Sequence, residues 1–408
     1  MNFAVWLRGF KKKWIVSHIL HSIRLRKAGE TMLTWWIIIV STVLLGKYID
    51  TKAVYYEENG VTLQRGSKVV YWLAAGIMIF FAGLRSVTGA GMMSIGDTRV
   101  YNMLFDSVVK NNIVEYIRST DFEGDWGFYA LMSFFRGLFH TNNQALFFIC
   151  SLITLSCLFY RYYKLNLTDK ETLFFLFVTF GIYVSTMNGV RQWFASALLF
   201  LNFPLIEKRK WAPFFAITLL VSMIHSSALI FVILYFVVNK KAWGTTMKGM
   251  IVCAVFLVVF YPVTGRYISM LLAESDNFSQ YSNQILSSGF GANSIRIAIY
   301  ILPIIFAYFF RNNMKNEPHY DIIINFAILD MLFMILAMTN WIYARFCIYF
   351  EPFLLIVYLW ILKYCFTKNS RKLARIIFYG LFLIYFWYQM YIGYGGQIYT
   401  SQVLGIGW

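Results

Sequence analysis

The stretch that decides the fold is residues 188–228, which read NGVRQWFASALLFLNFPLIEKRKWAPFFAITLLVSMIHSSA. It contains two apolar segments joined by the basic turn Glu207–Lys210. Short loops rich in lysine and arginine usually lie on the cytoplasmic side of a membrane. We therefore expect Arg191 and His225, at the two ends of the stretch, to lie together at the outer face. An arginine and a histidine there, beside Gln192 and two serines, favour a functional site over a scaffold.

The composition of the whole chain indicates an integral membrane protein. Of the 408 residues, 59% are hydrophobic and only 13% are charged, whereas a soluble domain carries about 25% charged residues. The net charge is +17, but the basic residues cluster between apolar segments, where they orient a chain in the membrane. We therefore expect anionic membrane lipids, and no nucleic acid, as the partners of these clusters.

The cysteines give no sign of a metal or redox site. None forms a CxxC pair or a metal-type spacing, so small buried hydrophobic side chains are the simplest interpretation. All five cysteines lie in or at the edge of apolar runs: Cys150, Cys157, Cys253, Cys347 and Cys365.

The N-terminus is basic but lacks the short apolar core and the cleavage site of a signal peptide.

The apolar segments predict an all-α fold, a polytopic membrane protein with about 12–13 transmembrane helices. This membrane domain covers residues 31–395 and carries two outer-face loops, at 88–125 and 271–294. Residues 1–30 mix basic and aromatic side chains, which predicts an amphipathic segment on the membrane surface. Residues 396–408 form a short C-terminal tail.

Segment 126–139 leaves two topologies open for the N-terminal third of the chain. If it spans the membrane, loop 88–125 is cytoplasmic. If it lies along the interface, that loop shares the outer face with Arg191 and His225. The distribution of charge favours the first topology, whereas the functional grouping of polar residues favours the second, which we adopt.

The predicted outer face of the second half of the chain contains arginines but no lysines. Arginine binds phosphate and pyrophosphate through two parallel hydrogen bonds. The pattern therefore suggests a pyrophosphate site, while pairing with carbonyls or lipid headgroups is the alternative for each residue. The four arginines are Arg191, Arg266, Arg296 and Arg345.

Six short motifs follow one another along the chain, and their order resembles the EpsG-like branch of the Wzy-type polysaccharide polymerases. The resemblance runs from about residue 69 to residue 350. Leu84 and Ile224 stand where the family has aromatic residues, and Asp125 where it has glutamate. The motifs are FAGLR at 81–85, GDTRVY at 96–101, GDWGF at 124–128, NGVRQ at 188–192, MIHSSAL at 223–229 and ARFCIY at 344–349.

The resemblance implies a GT-C-like polymerase in the bacterial cytoplasmic membrane. It would join oligosaccharide repeat units linked to undecaprenyl pyrophosphate, which serve as both donor and acceptor, at the outer face. A separate chain-length regulator is an expected partner. No metal and no cofactor are expected, because arginines can stabilise the pyrophosphate leaving group.

Three residues are the predicted catalytic residues. Arg191 would stabilise the leaving group, and either Asp97 or His225 would act as the base. Simpler alternatives exist, since Asp97 can cap the helix that begins at Thr98, and Asp125 can cap the helix that begins near Trp126. A lone histidine between apolar helices often only packs. The predicted substrate-binding residues are Arg85, Arg99, Tyr101, Asp125, Asn188, Gln192, Arg296, Arg345 and Tyr349.

Two other functions are compatible with the composition. A flippase or transporter of lipid-linked oligosaccharides would show internal repeats with broken helices at matching positions, and the sequence shows no convincing repeat. A membrane acyltransferase that modifies the polymer would use His225 but would leave Arg191 and Arg345 unexplained. Asp330 lies inside an apolar segment, which is costly without a partner, and it receives no role.

Overall fold

The computed structural model describes residues 32–58, 60–89, 95–108, 112–122, 124–140, 142–274, 291–394 and 397–407. Within these ranges the chain is almost entirely helical and has a single two-stranded hairpin, so the predicted helical class is confirmed. The predicted surface segment 1–30 and most of the predicted loop 271–294 fall outside the described residues.

The N-terminal half runs from the first helix to the middle of the stretch quoted above. The hairpin pairs β1 and β2 in antiparallel register. The elements of the N-terminal half are α1 (Met32–Lys52), β1 (Val54–Glu58), β2 (Val61–Arg65), α2 (Lys68–Gly83), α3 (Thr98–Asp106), α4 (Ile113–Ser119), α5 (Trp126–Phe139), α6 (Asn143–Lys164), α7 (Lys170–Thr179), α8 (Ile182–Asn188), α9 (Val190–Asn202) and α10 (Pro204–Glu207).

The C-terminal half is also helical in its described part. A 3-10 turn, Ser226–Leu229, and a π-helix, Gln389–Gly393, interrupt or end the α-helices. The α-helices are α11 (Trp211–Ile224), α12 (Ile230–Val238), α13 (Thr245–Val259), α14 (Tyr261–Ala273), α15 (Ser294–Phe309), α16 (Arg311–Met314), α17 (Tyr320–Leu336), α18 (Ile342–Cys347), α19 (Glu351–Tyr364) and α20 (Lys368–Tyr388).

Among the described residues, three helices are long and apolar enough to cross a membrane: Met32–Lys52, Asn143–Lys164 and Lys368–Gly393. Two bent pairs raise this number to five: α7 with α8, bent by 47°, and α13 with Val263–Leu271, bent by 103°. Other predicted spans correspond to shorter apolar helices such as α11. The described residues thus contain three to five candidates, and the larger count of about 12–13 spans stays a prediction.

Helices α7, α17 and α19 form the centre of the molecule. Every residue of α7 except Glu171 is buried, and so are most residues of α17 and α19. A helix that is apolar on all sides must be covered on all sides. These three helices are packed within a shell of other helices, and the polar residues discussed below lie around their ends.

The N-terminus of α7 is held by a carboxylate from the end of α1. Asp50 Oδ1 accepts a hydrogen bond from the backbone N–H of Lys170 at 2.9 Å, and its Oδ2 accepts one from Glu171 at 2.8 Å. Gly46 allows the two helices to touch, since a Cβ at this position would lie 2.8 Å from the Cα of Glu171. Gln64 of the hairpin donates to the same carboxylate at 2.5 Å. Asp50 therefore joins α1, β2 and α7.

Segment 126–139 forms α5, and both its ends lie beside residues of the site described below. Asp125, just before the helix, contacts His225. Near the other end, Arg136 donates to Asn143, which in turn donates to Asn102 of α3. A helix of this length spans only about 21 Å. The side of the membrane on which loop 88–125 lies stays a prediction.

The C-terminal tail is packed against the helical body. The backbone N–H of Ser86 donates to the carbonyl of Thr400 at 2.7 Å, and Tyr399 Oη donates to the carbonyl of Phe81 at 2.8 Å. Ser401 Oγ donates to the carbonyl of Leu84. The tail therefore supports the end of α2.

We expect Asp50→Ala to destabilise the protein by about 1–2 kcal/mol, because the first N–H groups of α7 lose their acceptor. Thermal unfolding of the detergent-solubilised protein measures this change. Glu58→Ala removes an exposed acid from the neighbouring strand and is the matched control. Equal melting temperatures for the two variants would contradict the capping role.

Candidate active site

The carboxylate of Asp125 joins three segments that are far apart in the chain. Its Oδ2 lies 2.9 Å from Nδ1 of His225 and 3.0 Å from a terminal guanidinium nitrogen of Arg191. Its Oδ1 accepts a hydrogen bond from the backbone N–H of Ser226 at 2.8 Å. The side chain of Asp125 is only 12% exposed, so these contacts replace most of its hydration.

The local backbone explains why Asp125 reaches His225. Asp125 occupies the N-cap position of α5, but its side chain makes no capping hydrogen bond and is directed to the end of α11. Gly127 allows the two helices to touch, because a Cβ there would lie 2.8 Å from the carbonyl oxygen of Met223. The alternative in which Asp125 serves only as a helix cap is therefore wrong. The same holds for Asp97, which makes no side-chain cap on α3.

The charge state of Asp125 determines the tautomer of His225. Burial raises the pKa of Asp125, but the hydrogen bonds from His225 and Ser226 and the charges of His225 and Arg191 outweigh it, so the pKa falls below its ordinary value. An ionised carboxylate only accepts hydrogen bonds, so Nδ1 of His225 must be the donor. The lone pair of the neutral ring is then on Nε2, which has no hydrogen-bond partner among the described residues.

Arg191 is surrounded by aromatic rings. Its Nε donates to the hydroxyl of Tyr101 at 3.3 Å. Its guanidinium carbon lies 5.5 Å from the ring centroid of Tyr101, 6.0 Å from that of Phe128 and 5.9 Å from that of Tyr129. Cation–π contacts of this kind hold a guanidinium in place. Since the side chain is still 25% exposed, it can bind an anion in a fixed orientation.

Asn188 positions the predicted base Asp97 close to this cluster. Asn188 Oδ1 accepts a hydrogen bond from the backbone N–H of Asp97 at 2.9 Å. Gly96 has a φ of +53°, and a Cβ there would lie 2.0 Å from Asn188 Oδ1, so only glycine fits this approach. Asp97 lies within electrostatic reach of Tyr101. The loop before α3 is thus fixed against the junction of α8 and α9.

Helix α9 also holds the segment that carries Arg345 and Tyr349. Gln192 Nε2 donates to the carbonyl of Arg345 at 2.8 Å. Tyr349 Oη and Ser227 Oγ lie 2.8 Å apart, two residues from His225. The guanidinium of Arg345 is exposed and lies 4.9 Å from the ring centroid of Trp341. Gln192 therefore orients the backbone, while the guanidinium of Arg345 stays exposed to solvent.

Arg85 is part of the framework of the site. It is 1% exposed, and its guanidinium donates to Thr98 Oγ1 at 3.0 Å and to the carbonyl of Met187 at 3.2 Å. It also lies 5.0 Å from the ring centroid of Phe147. A buried guanidinium with these partners cannot bind a substrate in this structure, nor does it extend to lipid headgroups. It links the end of α2 to α3 and α8.

The remaining predicted substrate-binding residues lie apart from Asp125. Arg99 is exposed on α3 and has no side-chain hydrogen bond within the described ranges. Arg296 lines a separate cavity with Glu351. Another cavity, of about 760 Å³, lies at the basic turn Glu207–Lys210, away from the cluster. Within the described part of the chain, no group of three or more His, Cys, Asp and Glu side chains is arranged to hold a metal ion.

Several contacts of the site carry no signal in the sequence. Tyr129 completes the aromatic surroundings of Arg191, and Thr98 and Ser151 bind Arg85. Thr98 lies within the motif GDTRVY at 96–101, and this position is the sequence signal that could have linked it to the site. Ser151 lies in the middle of an apolar helix and looks like ordinary packing.

We expect Asp125→Asn to lower the stability of the protein by roughly 1–3 kcal/mol at neutral pH, because Arg191 loses its counter-charge. The pKa of Asp125 is lowered in the folded state, so its contribution is present above its ordinary value of 3.8 and is lost as the pH falls through the lower, folded value. Melting temperatures of wild type and variant should therefore converge below about pH 3.8.

The exposed acid Asp121 provides the matched control for this experiment. Asp121→Asn should change the melting temperature little at any pH. A stability difference between wild type and Asp125→Asn that stays constant from neutral pH to strongly acidic pH would contradict the charge-based interaction.

Comparison with known proteins identifies the family of the chain. No curated protein and no solved structure gives a match to the chain. The model of the EpsG family matches residues 68–402, which include all the motifs and the part of the tail that supports α2. Because the match covers most of the 408 residues, the chain belongs to the EpsG family, the EpsG-like polysaccharide polymerases.

Proposed function

We propose that this protein polymerises oligosaccharide repeat units linked to undecaprenyl pyrophosphate at the outer face of the bacterial cytoplasmic membrane. The observation that carries the proposal is the Asp125 cluster. It holds a histidine with one free ring nitrogen beside a half-buried, aromatic-lined arginine. Family membership supports a polysaccharide polymerase, and the cluster supports glycosyl transfer with a pyrophosphate leaving group.

The proposed step is a displacement at the anomeric carbon of the growing chain. The acceptor sugar at the non-reducing end of the next unit loses a hydroxyl proton to Nε2 of His225. Its oxygen attacks the anomeric carbon, and the bond from that carbon to the pyrophosphate oxygen breaks. The electron pair leaves with undecaprenyl pyrophosphate, and the proton on His225 passes to this leaving group or to water.

Each member of the cluster has a distinct task. Arg191, with Arg345 exposed nearby in the fold, stabilises the negative charge that develops on the pyrophosphate. Asp125 orients the imidazole and stabilises its protonated form, as an aspartate does in other Asp–His pairs. His225 is the proposed base in preference to Asp97, because its free nitrogen is oriented by Asp125.

A flippase is the second candidate, and one observation favours it. The two bent helix pairs, Lys170–Asn188 and Thr245–Leu271, are the kind of discontinuous helix that lines transport sites. Polymerase and flippase differ in where the unpolymerised unit accumulates. The experiment below distinguishes them.

We expect cells that lack the protein, complemented with His225→Ala, to make single repeat units instead of long polymer. Loss of a general base costs roughly 10²–10⁴-fold in rate. Arg191→Lys keeps the charge but loses the bidentate hydrogen bonds, and should slow polymerisation by roughly tenfold or more. Gel analysis of polysaccharide length measures both effects.

Arg209→Lys, in the exposed basic turn, is the matched control and should give normal polymer. Single units exported to the outer face support the polymerase. Units retained on the inner leaflet would contradict the polymerase function and indicate a flippase.

We further expect Asp97→Asn to retain most of the polymerase activity, whereas His225→Ala loses it. The rate of unit joining by purified proteins in nanodiscs measures the difference. If Asp97→Asn were as inactive as His225→Ala while equally well folded, Asp97 would be the base instead.

A further inference from the structure

A polar cavity separate from the Asp125 cluster lies at the break between α7 and α8. It has a volume of about 120 Å³ and is formed where α7 breaks into α8, where α15 begins and where α20 continues as a π-helix. π-helical turns inside longer helices often occur at functional sites. The polar lining includes Arg296, Tyr300, Glu351, Tyr385, Gln389 and Tyr394.

The hydrogen-bonding groups of this cavity are only partly satisfied within the described residues. Glu351 is 4% exposed, and its Oε1 accepts a hydrogen bond from Tyr300 Oη at 2.5 Å. Arg296 is within electrostatic reach of Glu351, but the two form no direct ion pair, and Nε of Arg296 is buried without a partner in the described part of the chain. Buried polar groups are normally paired, so this cavity is arranged for a ligand with both donors and acceptors.

The balance of charge argues against an anionic ligand. Glu351 lines the cavity together with Arg296. An anion such as phosphate would therefore lie beside a carboxyl group as well as a guanidinium, whereas a neutral ligand meets no repulsion. A sugar ring has hydroxyls that donate to Glu351 and accept from Arg296, and its apolar face packs against tyrosine rings such as Tyr385. A neutral polyhydroxyl ligand therefore suits the cavity.

The cavity and the Asp125 cluster share two segments of the chain. Ser185 lines the cavity and accepts a hydrogen bond from Trp193 Nε1 at 2.8 Å. Asn188, which fixes the loop of Asp97, lies one turn further along α8, a rise of about 4.5 Å. On the other segment, Glu351 follows Tyr349 by two residues. The cavity and the Asp125 cluster are therefore connected through α8 and through the segment from Tyr349 to Glu351.

The shape of the cavity depends on Gly181, at the break between α7 and α8. This residue has a φ of +105°, and a Cβ there would lie 2.6 Å from Oε1 of Gln389. Glycine at this position permits both the bend and the close approach of the π-helix. The polar side chains of the two elements consequently face a common space.

We propose that this cavity is a binding subsite for one neutral sugar residue of the lipid-linked oligosaccharide, held by Glu351 and Arg296 and packed against the tyrosines. The proposal rests on the proposed polymerase function, since it assigns a subsite to that substrate. It separates sugar recognition by Glu351 from leaving-group stabilisation by Arg191.

The test uses full-length protein in nanodiscs and the free oligosaccharide released by mild acid from the lipid-linked unit of the source cells. This probe lacks the lipid and the pyrophosphate. Binding is measured by saturation-transfer NMR. We expect wild type and Arg191→Ala to bind the probe, and Glu351→Gln and Arg296→Gln to bind it at least about tenfold more weakly.

Tyr308→Phe, on the same helix as Tyr300 but outside the cavity, is the matched control and should bind normally. Where Glu351→Gln does not give a monodisperse protein, Tyr394→Phe decides in its place. Wild-type affinity in the cavity variants, or no binding of the probe to wild type, would overturn the subsite.

Inorganic pyrophosphate serves as a second probe for the class of ligand. Binding of pyrophosphate that depends on Arg296 would show that the cavity takes an anion and not a neutral sugar, and would overturn the proposal. Failure of the polymerase itself gives a different result, because polymer of normal length in Arg191→Ala cells would reject the proposed function without affecting the binding measurement.

Discussion

A carboxylate that is removed from water needs partners, and the Asp125 carboxylate finds them in three segments. The cost of burying an unpaired charge is several kcal/mol, so α5, α9 and the end of α11 must meet at one point. His225 and Arg191 satisfy one oxygen, and the backbone of Ser226 satisfies the other. The same requirement that holds the helix ends together also fixes the orientation of the histidine and the arginine.

The rest of the site is arranged around helix α9. Its first turn carries Arg191 and Gln192, and the latter binds the backbone of the segment that ends in Tyr349. One turn later, Ser196 Oγ donates to the carbonyl of Ile348 at 2.8 Å, so two polar side chains on one face hold that segment. On the other side, Arg85 links the end of α2 to α3 and α8. Arg191, which is proposed to contact the substrate, is thus distinct from Gln192, Ser196 and Arg85, which hold the surrounding segments in place.

The sequence predicted the helical class and the pairing of Arg191 with His225, since the basic turn between two apolar segments requires their outer ends to return to the same side. It did not predict the partner that joins them, because Asp125 lies far away in the chain and local rules assign it to a helix cap. Arg85 was misjudged for a similar reason. Its partners Thr98 and Met187 come from other helices, and burial by distant segments leaves no local pattern.

The packing of the tail has a consequence for how the protein matures. The backbone around Arg85 donates a hydrogen bond to the carbonyl of Thr400 and accepts one from Ser401. Both residues are translated after every other residue of the site. The last contacts at the end of α2 therefore form only after residues 400 and 401 have been translated. Until then the backbone around Arg85 lacks this support, so the framework of the site is completed late in membrane insertion.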